Sequence, residues 1–124
     1  MPIATILVED SKTIREHLIL SLEELTDVQV VAEAETPSQA LACVAQHQEC
    51  WSLMILDLFL KDGTGLEVLQ ACFNRLPHQQ IVVLTSMATS QFRRLSLKLG
   101  ADAVFDKTSE MDKFFDHCNL CCTA

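Results

Sequence analysis

The chain has 124 residues, 49% of them apolar, with only three Gly and three Pro; that suffices for one domain with a single core and argues against a disordered chain. Seventeen acidic residues against nine basic give a net charge of −8, a surface that repels nucleic-acid phosphates and argues against direct DNA or RNA binding. No apolar run approaches the roughly 18 residues a membrane-spanning helix needs, and the N-terminus lacks the basic region of a signal peptide, so a cytoplasmic location with no membrane partner is expected.

The first apolar run, Ile3 to Val8, is short and rich in β-branched residues, which suits a buried strand. Ile14, Leu18, Leu22 and Leu25 then recur at steps of three to four, the spacing of a helix with one apolar face. Val28 to Ala32 reads as a second strand. Thr36-Pro37-Ser38-Gln39 opens the next helix with an N-cap, a Pro at the first helical position and a Gln three residues on, and Leu41, Val44 and Ala45 continue it. Leu53 to Leu56 is the third strand, and Leu66, Leu69, Phe73 and Leu76 mark a third helix with Pro77 just beyond it. Ile81 to Leu84 is the fourth strand; Phe92, Leu95 and Leu99 follow at helical spacing, closed by Gly100. Ala103 to Phe105 is the fifth strand, and Met111, Phe114, Phe115 and Cys118 the fifth helix, its start marked by Ser109 and Asp112. Five such alternations predict an α/β fold, a parallel sheet covered by helices on both faces. No linker or repeat divides residues 1–124, which read as a single domain without an output segment.

Six cysteines, Cys43, Cys50, Cys72, Cys118, Cys121 and Cys122, raise a zinc or disulfide reading. Cys118 and Cys121 have CxxC spacing, but no second pair completes a tetrahedral site. Cys43 and Cys72 fall on apolar helix stripes, where cysteine behaves as a small hydrophobe. All six are expected to be reduced in a cytoplasm, as structural or incidental thiols.

An open α/β sheet keeps its site beyond the carboxyl ends of its strands. There the sequence places Glu9 and Asp10 after the first strand, Asp57 after the third, Thr85 and Ser86 after the fourth, and Lys107 after the fifth. Taken singly, each has a bland role as a cap, turn or solvated charge; their convergence on one edge is the signal. Carboxylates gathered without His or Cys favour a hard cation, Mg²⁺ or Mn²⁺. A carboxylate can attack a phosphoryl group, while the metal and Lys107 offset its charge and the Thr85 hydroxyl bonds one of its oxygens.

The segments Ile6-Leu7-Val8-Glu9-Asp10-Ser11, Ile55-Leu56-Asp57-Leu58, Gly63-Thr64-Gly65-Leu66-Glu67-Val68-Leu69, Val83-Leu84-Thr85-Ser86 and Gly100-Ala101-Asp102-Ala103-Val104-Phe105-Asp106-Lys107 resemble, in order and spacing, the CheY-like receiver domains of two-component response regulators. The resemblance implies a flavodoxin-like (βα)5 fold with strand order 2-1-3-4-5. It implies Asp57 as phospho-acceptor from a histidine kinase or histidine phosphotransfer protein, with Mg²⁺ held by Glu9, Asp10, Asp57 and the backbone carbonyl of Phe59. Thr85 becomes the switch hydroxyl and Lys107 the partner of the phosphoryl group. A face built from the fourth helix, fifth strand and fifth helix would then control a downstream protein or output domain, or a phosphorylation-dependent homodimer. Beyond its own phosphorylation and dephosphorylation such a chain is a switch and not an enzyme.

Three positions depart from the family pattern. Lys61 and Thr108 stand where the family often has Pro. Val104 stands where it usually has an aromatic ring that moves with the switch hydroxyl. Phe105 is no simple substitute, because adjacent strand residues point to opposite faces. Three other readings compete. An Asp-nucleophile phosphatase would need an acid at position 59. A flavodoxin-like cofactor binder would need a phosphate loop where Glu9 and Asp10 stand. A receiver-like interaction module independent of phosphorylation has no evident use for the full set of Glu9, Asp10, Asp57, Thr85 and Lys107.

Overall fold

The computed structural model describes residues 2–121. Over that span the elements are β1 (Ile3–Val8), α1 (Lys12–Leu25), β2 (Val28–Ala34), α2 (Pro37–His47), β3 (Leu53–Leu56), α3 (Gly65–Ala71), β4 (Gln80–Thr85), α4 (Ser90–Lys98), β5 (Ala103–Asp106) and α5 (Met111–Cys121). The five strands form one parallel sheet in the order β2-β1-β3-β4-β5, the flavodoxin-like arrangement expected. In the loop after β3, Phe59–Leu60 pairs antiparallel with Gly63–Thr64.

Period-two alternation along the buried strands builds a core on each face. Ile6, Val8, Met54, Leu56, Ile81, Val83 and Val104 pack with Ala40 of α2, Val68 and Leu69 of α3 and Phe92 of α4. Leu7, Leu53, Ile55, Val82 and Leu84 face the other way, onto Leu18 and Leu22 of α1 and Phe114 and Cys118 of α5. Phe105 belongs to this second layer, its ring centroid 6.1 Å from that of Phe114. Val104 and Phe105 therefore do lie on opposite faces of β5.

Several boundaries differ from the sequence reading. β2, β4 and β5 each run one or two residues further than their apolar cores, because ladder pairing continues through polar residues such as Glu33 opposite Leu7 and Asp106 opposite Thr85. The helix predicted through Phe73 and Leu76 stops at Ala71, with Cys72 as its cap. Arg75 ends it: its guanidinium donates to the carbonyls of Cys72 (3.2 Å), Gln79 (2.7 Å) and Gly100 (2.7 Å). Those bonds satisfy the main chain of a turn that leaves Phe73 and Leu76 exposed. α5 begins at Met111 and not after Ser109, whose N–H is bonded to Asp106 Oδ1 at 3.2 Å.

Thr36 caps α2 and Gly100 closes α4 as read, but Gln39 reaches one residue further back than the N-cap N–H of a capping box. Thr36 Oγ1 accepts the N–H of Gln39 (3.1 Å), and Gln39 Oε1 reaches back to the N–H of Glu35 (2.8 Å). Gly100, at φ +106°, closes α4 with bonds from Gly100 N to Leu97 O (3.1 Å) and Ala101 N to Ser96 O (3.0 Å). That reversal needs a left-handed residue. Cys43, Cys50 and Cys72 are free thiols, and Cys118 is fully buried against α1 and the sheet. The side chain of Cys121 and all of Cys122 lie outside the described residues, so the CxxC pair is not seen whole.

Candidate functional site

Parallel pairing brings the strand ends level. The N–H of Asp57 bonds Val8 O (3.0 Å), and that of Lys107 bonds Thr85 O (3.0 Å), so the residues leaving β1, β3, β4 and β5 share one edge. Carboxylate oxygens of Glu9, Asp10 and Asp57 lie within 4.8 Å of one another. Glu9 and Asp57 are buried and Asp10 is half-buried. At about 5 Å and an effective dielectric of about 20, each like-charged pair repels by roughly 3 kcal/mol, so the cluster needs a cation. Lys107 supplies one charge: its Nζ donates to Asp57 Oδ2 at 2.7 Å and to Glu9 Oε1.

The titration of these groups follows from that contact. Burial alone would depress the Lys107 ammonium, but its hydrogen bonds to Asp57 and Glu9 and their charges outweigh burial and lift its pKa above the ordinary lysine value. Burial pushes the Glu9 carboxyl upward, only partly opposed by Lys107 and by the N–H of Ser11 on Glu9 Oε2 (3.0 Å). One ammonium against three clustered carboxylates leaves an excess of negative charge. An all-oxygen donor set of this kind fits a hard divalent cation such as Mg²⁺.

Around Asp57 the main chain is closely held. Asp57 Oδ1 accepts the N–H of Phe59 (3.2 Å), which sets the start of the β3–α3 loop against the acid. Gly65, the first residue of α3, sits so near that a Cβ there would lie 2.2 Å from the Asp57 carbonyl oxygen. Thr85 is fully buried, its hydroxyl accepting the N–H of Met87 (3.3 Å). The structure thus brings Glu9, Asp10, Asp57 and Lys107 together. Phe59 lies at the margin of that group, and Thr85 is tied to it through the main chain of Lys107.

Besides Arg75, two arginines nearer the site escaped the sequence reading. Arg15 is buried and donates to the carbonyl of Glu9 (2.6 Å), to Glu33 (3.0 Å) and to Glu35 (2.9 Å). Its signal was present: Arg15, Leu18 and Leu22 form the buried stripe of α1, whereas Ile14 and Leu25 are exposed. Arg93 of α4 donates to Ala88 O (2.9 Å), Val104 O (3.2 Å) and Glu110, spanning the β4–α4 loop, β5 and the approach to α5. Nothing local in the sequence marks that clamp, which depends on three segments meeting. Phe92 beside it makes an edge-to-face contact with Phe59, centroids 5.7 Å apart.

The family model of the response regulator receiver domain matches residues 5–119. The response regulator protein VraR of Staphylococcus saprophyticus is 28% identical over 88% of this chain and 51% of its own length. The transcriptional regulatory protein YhcZ of Bacillus subtilis is 25% identical over 87% and 50%. The chain spans about half the length of these curated relatives. Among solved structures, the receiver domain of NarL from Mycobacterium tuberculosis superposes with TM-score 0.85 at 19% identity, over 99% of this chain and 98% of that one. CheY from Borrelia burgdorferi, in a complex with CheX, BeF3 and Mg²⁺, gives TM-score 0.84 at 15% identity, over 94% and 86%. At such identities the two structures speak to the fold.

Proposed function

The chain belongs to the response regulator receiver domain family, and on that premise we propose that Asp57 accepts a phosphoryl group from a histidine kinase or histidine phosphotransfer protein, with Mg²⁺ held by Glu9, Asp10, Asp57 and the carbonyl of Phe59. The observation that carries this reading is the convergence of three carboxylates within 4.8 Å, two of them already bonded to Lys107. A carboxylate oxygen of Asp57 attacks phosphorus in line as the bond to the donor's histidine nitrogen breaks, leaving an acyl phosphate and a neutral imidazole. Bound Mg²⁺ supplies charge neutralisation at the transferring group. Lys107, released from Asp57, follows the phosphoryl oxygen, and the Thr85 hydroxyl turns from the N–H of Met87 to bond another oxygen.

The acyl phosphate then biases the α4–β5–α5 face toward a downstream protein, an output domain or a second copy of the chain. Among the described residues no helix is long and apolar enough to cross a membrane. Intact mass after incubation with Mg²⁺ and acetyl phosphate tests the assignment. One added phosphate is expected in the wild type, none in Asp57→Asn or Asp57→Ala, and none when Mg²⁺ is chelated. Lys107→Ala should lose phosphorylation while keeping its metal. A phosphate that persists in Asp57→Ala refutes the acceptor.

A further inference from the structure

All four proposed metal ligands lie just past the sheet's strands; among them, Glu9 directly follows β1 and Phe59 stands in the loop after β3. A buried cation, Arg15, contacts the first directly and is linked to the loop of the second through Glu35. Arg15 Nη1 donates to the carbonyl of Glu9 at 2.6 Å, and Nη2 to Glu35 Oε1 at 2.9 Å. The other oxygen of Glu35 accepts from Lys61 Nζ at 3.3 Å, and the Glu35 carbonyl accepts the N–H of Lys61 at 3.2 Å. Lys61 is two residues beyond Phe59, at the tip of the Phe59–Leu60/Gly63–Thr64 ladder. A continuous series of contacts therefore runs from the backbone of Glu9 through Arg15, Glu35 and Lys61 to the loop that bears the Phe59 carbonyl.

We infer that Arg15, Glu35 and Lys61 are positioning residues for the divalent-cation site, holding the Glu9 main chain and the Phe59 loop at the separation the ion requires. The inference rests on the reading of Glu9, Asp10, Asp57 and Phe59 as the ligand set. Mg²⁺ demands near-ideal octahedral geometry and tolerates little drift between its ligands, and groups that orient metal ligands contribute strongly to affinity. The planar fork of arginine suits the task, since it fixes a carbonyl and two carboxylates at once. The Lys61–Glu35 pair is partly exposed, with side chains 58% and 31% accessible, and such pairs add little to stability. Its effect on the metal is therefore separable from its effect on the fold.

Charge and position predict opposite signs. Lys61 and Arg15 are cations near a cation site, so by Coulomb's law their removal would tighten metal binding; a positioning role predicts that it weakens. The test is isothermal titration of Mg²⁺ into the full chain without phosphodonor, with a thermal melt of each variant. Arg15→Met should weaken Mg²⁺ binding about 10-fold or more, in line with the loss of a group that orients metal ligands. Lys61→Met and Glu35→Gln should weaken it by a smaller factor at an unchanged melting temperature. Their double variant should be no weaker than the worse single one, because both remove one contact, and Lys61→Arg should bind as the wild type does. Should Arg15→Met fail to fold, the Glu35 and Lys61 variants carry the test alone. Wild-type affinity, or tighter binding, in Lys61→Met overturns the inference while leaving the ligand set intact. No Mg²⁺ uptake by the wild type overturns the ligand set and this inference with it.

Discussion

Gly65→Ala probes how tightly Asp57, the proposed acceptor, is held. The new Cβ would lie 2.2 Å from the Asp57 carbonyl oxygen and 3.0 Å from both the Asp57 carbonyl carbon and Leu58 Cα. All three are backbone atoms, so no side-chain rotation relieves the contact. Side-chain β-carbons do not approach such atoms within 3.0 Å, so α3 and the Asp57–Leu58 segment must separate by at least about 0.8 Å. That separation also strains the bond from Gly65 N to Leu58 O (2.9 Å). Overpacking of this kind costs roughly 1–3 kcal/mol, which a domain with a typical stability of about 5–15 kcal/mol survives. The chemistry is less tolerant, since a displacement of about 1 Å at a reacting group can cost around 100-fold in rate. Gly65→Ala should therefore stay folded and phosphorylate about 10- to 100-fold more slowly, scaling from that same sensitivity. The assay is a time course of intact mass at saturating Mg²⁺ and acetyl phosphate, with a circular-dichroism melt of the same sample. A folded Gly65→Ala chain that phosphorylates at the wild-type rate refutes the argument.

Further outcomes are expected. Phe59 and Met87, two residues beyond Asp57 and Thr85, are both exposed and apolar and offer no hydrogen bond to orient an attacking water; Phe59→Asn or Met87→Glu should speed decay of the acyl phosphate, and unchanged decay in both refutes a role for these two side chains in limiting hydrolysis. Arg93→Gln should raise the phosphorylation rate roughly 2- to 5-fold, the factor carried by about 0.5–1 kcal/mol from a partly exposed ion pair that holds the unphosphorylated arrangement; an unchanged or slower rate refutes it. Glu110 is held below the ordinary glutamate value, first by its bond to Arg93 and then by the N–H of Asp106. A depressed folded-state pKa stabilises above the unfolded value and loses that effect as pH falls through the folded one. The stability gap between wild type and Glu110→Gln, read by urea denaturation, should therefore be full near neutrality and close in acid; a gap independent of pH refutes the pairing.

The sequence disclosed the sheet and its acidic edge for one physical reason. Strands buried on both faces are short apolar runs, and a parallel sheet gathers the residues that follow them. Glu9, Asp10, Asp57 and Lys107 were legible on that basis alone. What stayed hidden depends on contacts between distant segments. Apolar spacing carried the third helix on to Leu76, because nothing in the spacing shows Arg75 reaching the carbonyls of Gln79 and Gly100. The buried role of Arg15 was obscured by the habit of treating arginine as surface, although it stands in register with Leu18 and Leu22. The fork of Arg93 joins residues 5, 11 and 17 positions away, and no local pattern encodes such a meeting.

The same contacts bear on how this chain transmits its state. Val104 has no ring to swing and one stiff torsion, so the moving part must be sought elsewhere. Two routes lead away from the proposed acceptor site. The Thr85 hydroxyl holds the N–H of Met87, and the next residue, Ala88, offers its carbonyl to Arg93; on the proposed mechanism, turning that hydroxyl toward a phosphoryl group would free Met87 and so reach the clamp. On the other side, the ring of Phe59, two residues past Asp57, meets the ring of Phe92 on α4. Such an aromatic pair is worth about 0.5–1.5 kcal/mol beyond its burial, so a shift of the loop is felt directly by the helix. Both routes end in the first turn of α4, at Phe92 and Arg93, and Arg93 would pass a shift there to β5 and the start of α5 through its bonds to Val104 O and Glu110. A ligand moves an equilibrium only as far as it binds the two states differently. On the proposed mechanism that difference would reside in the hydrogen bonds and the one ring contact at the head of α4, with the residue at 104 following through its backbone.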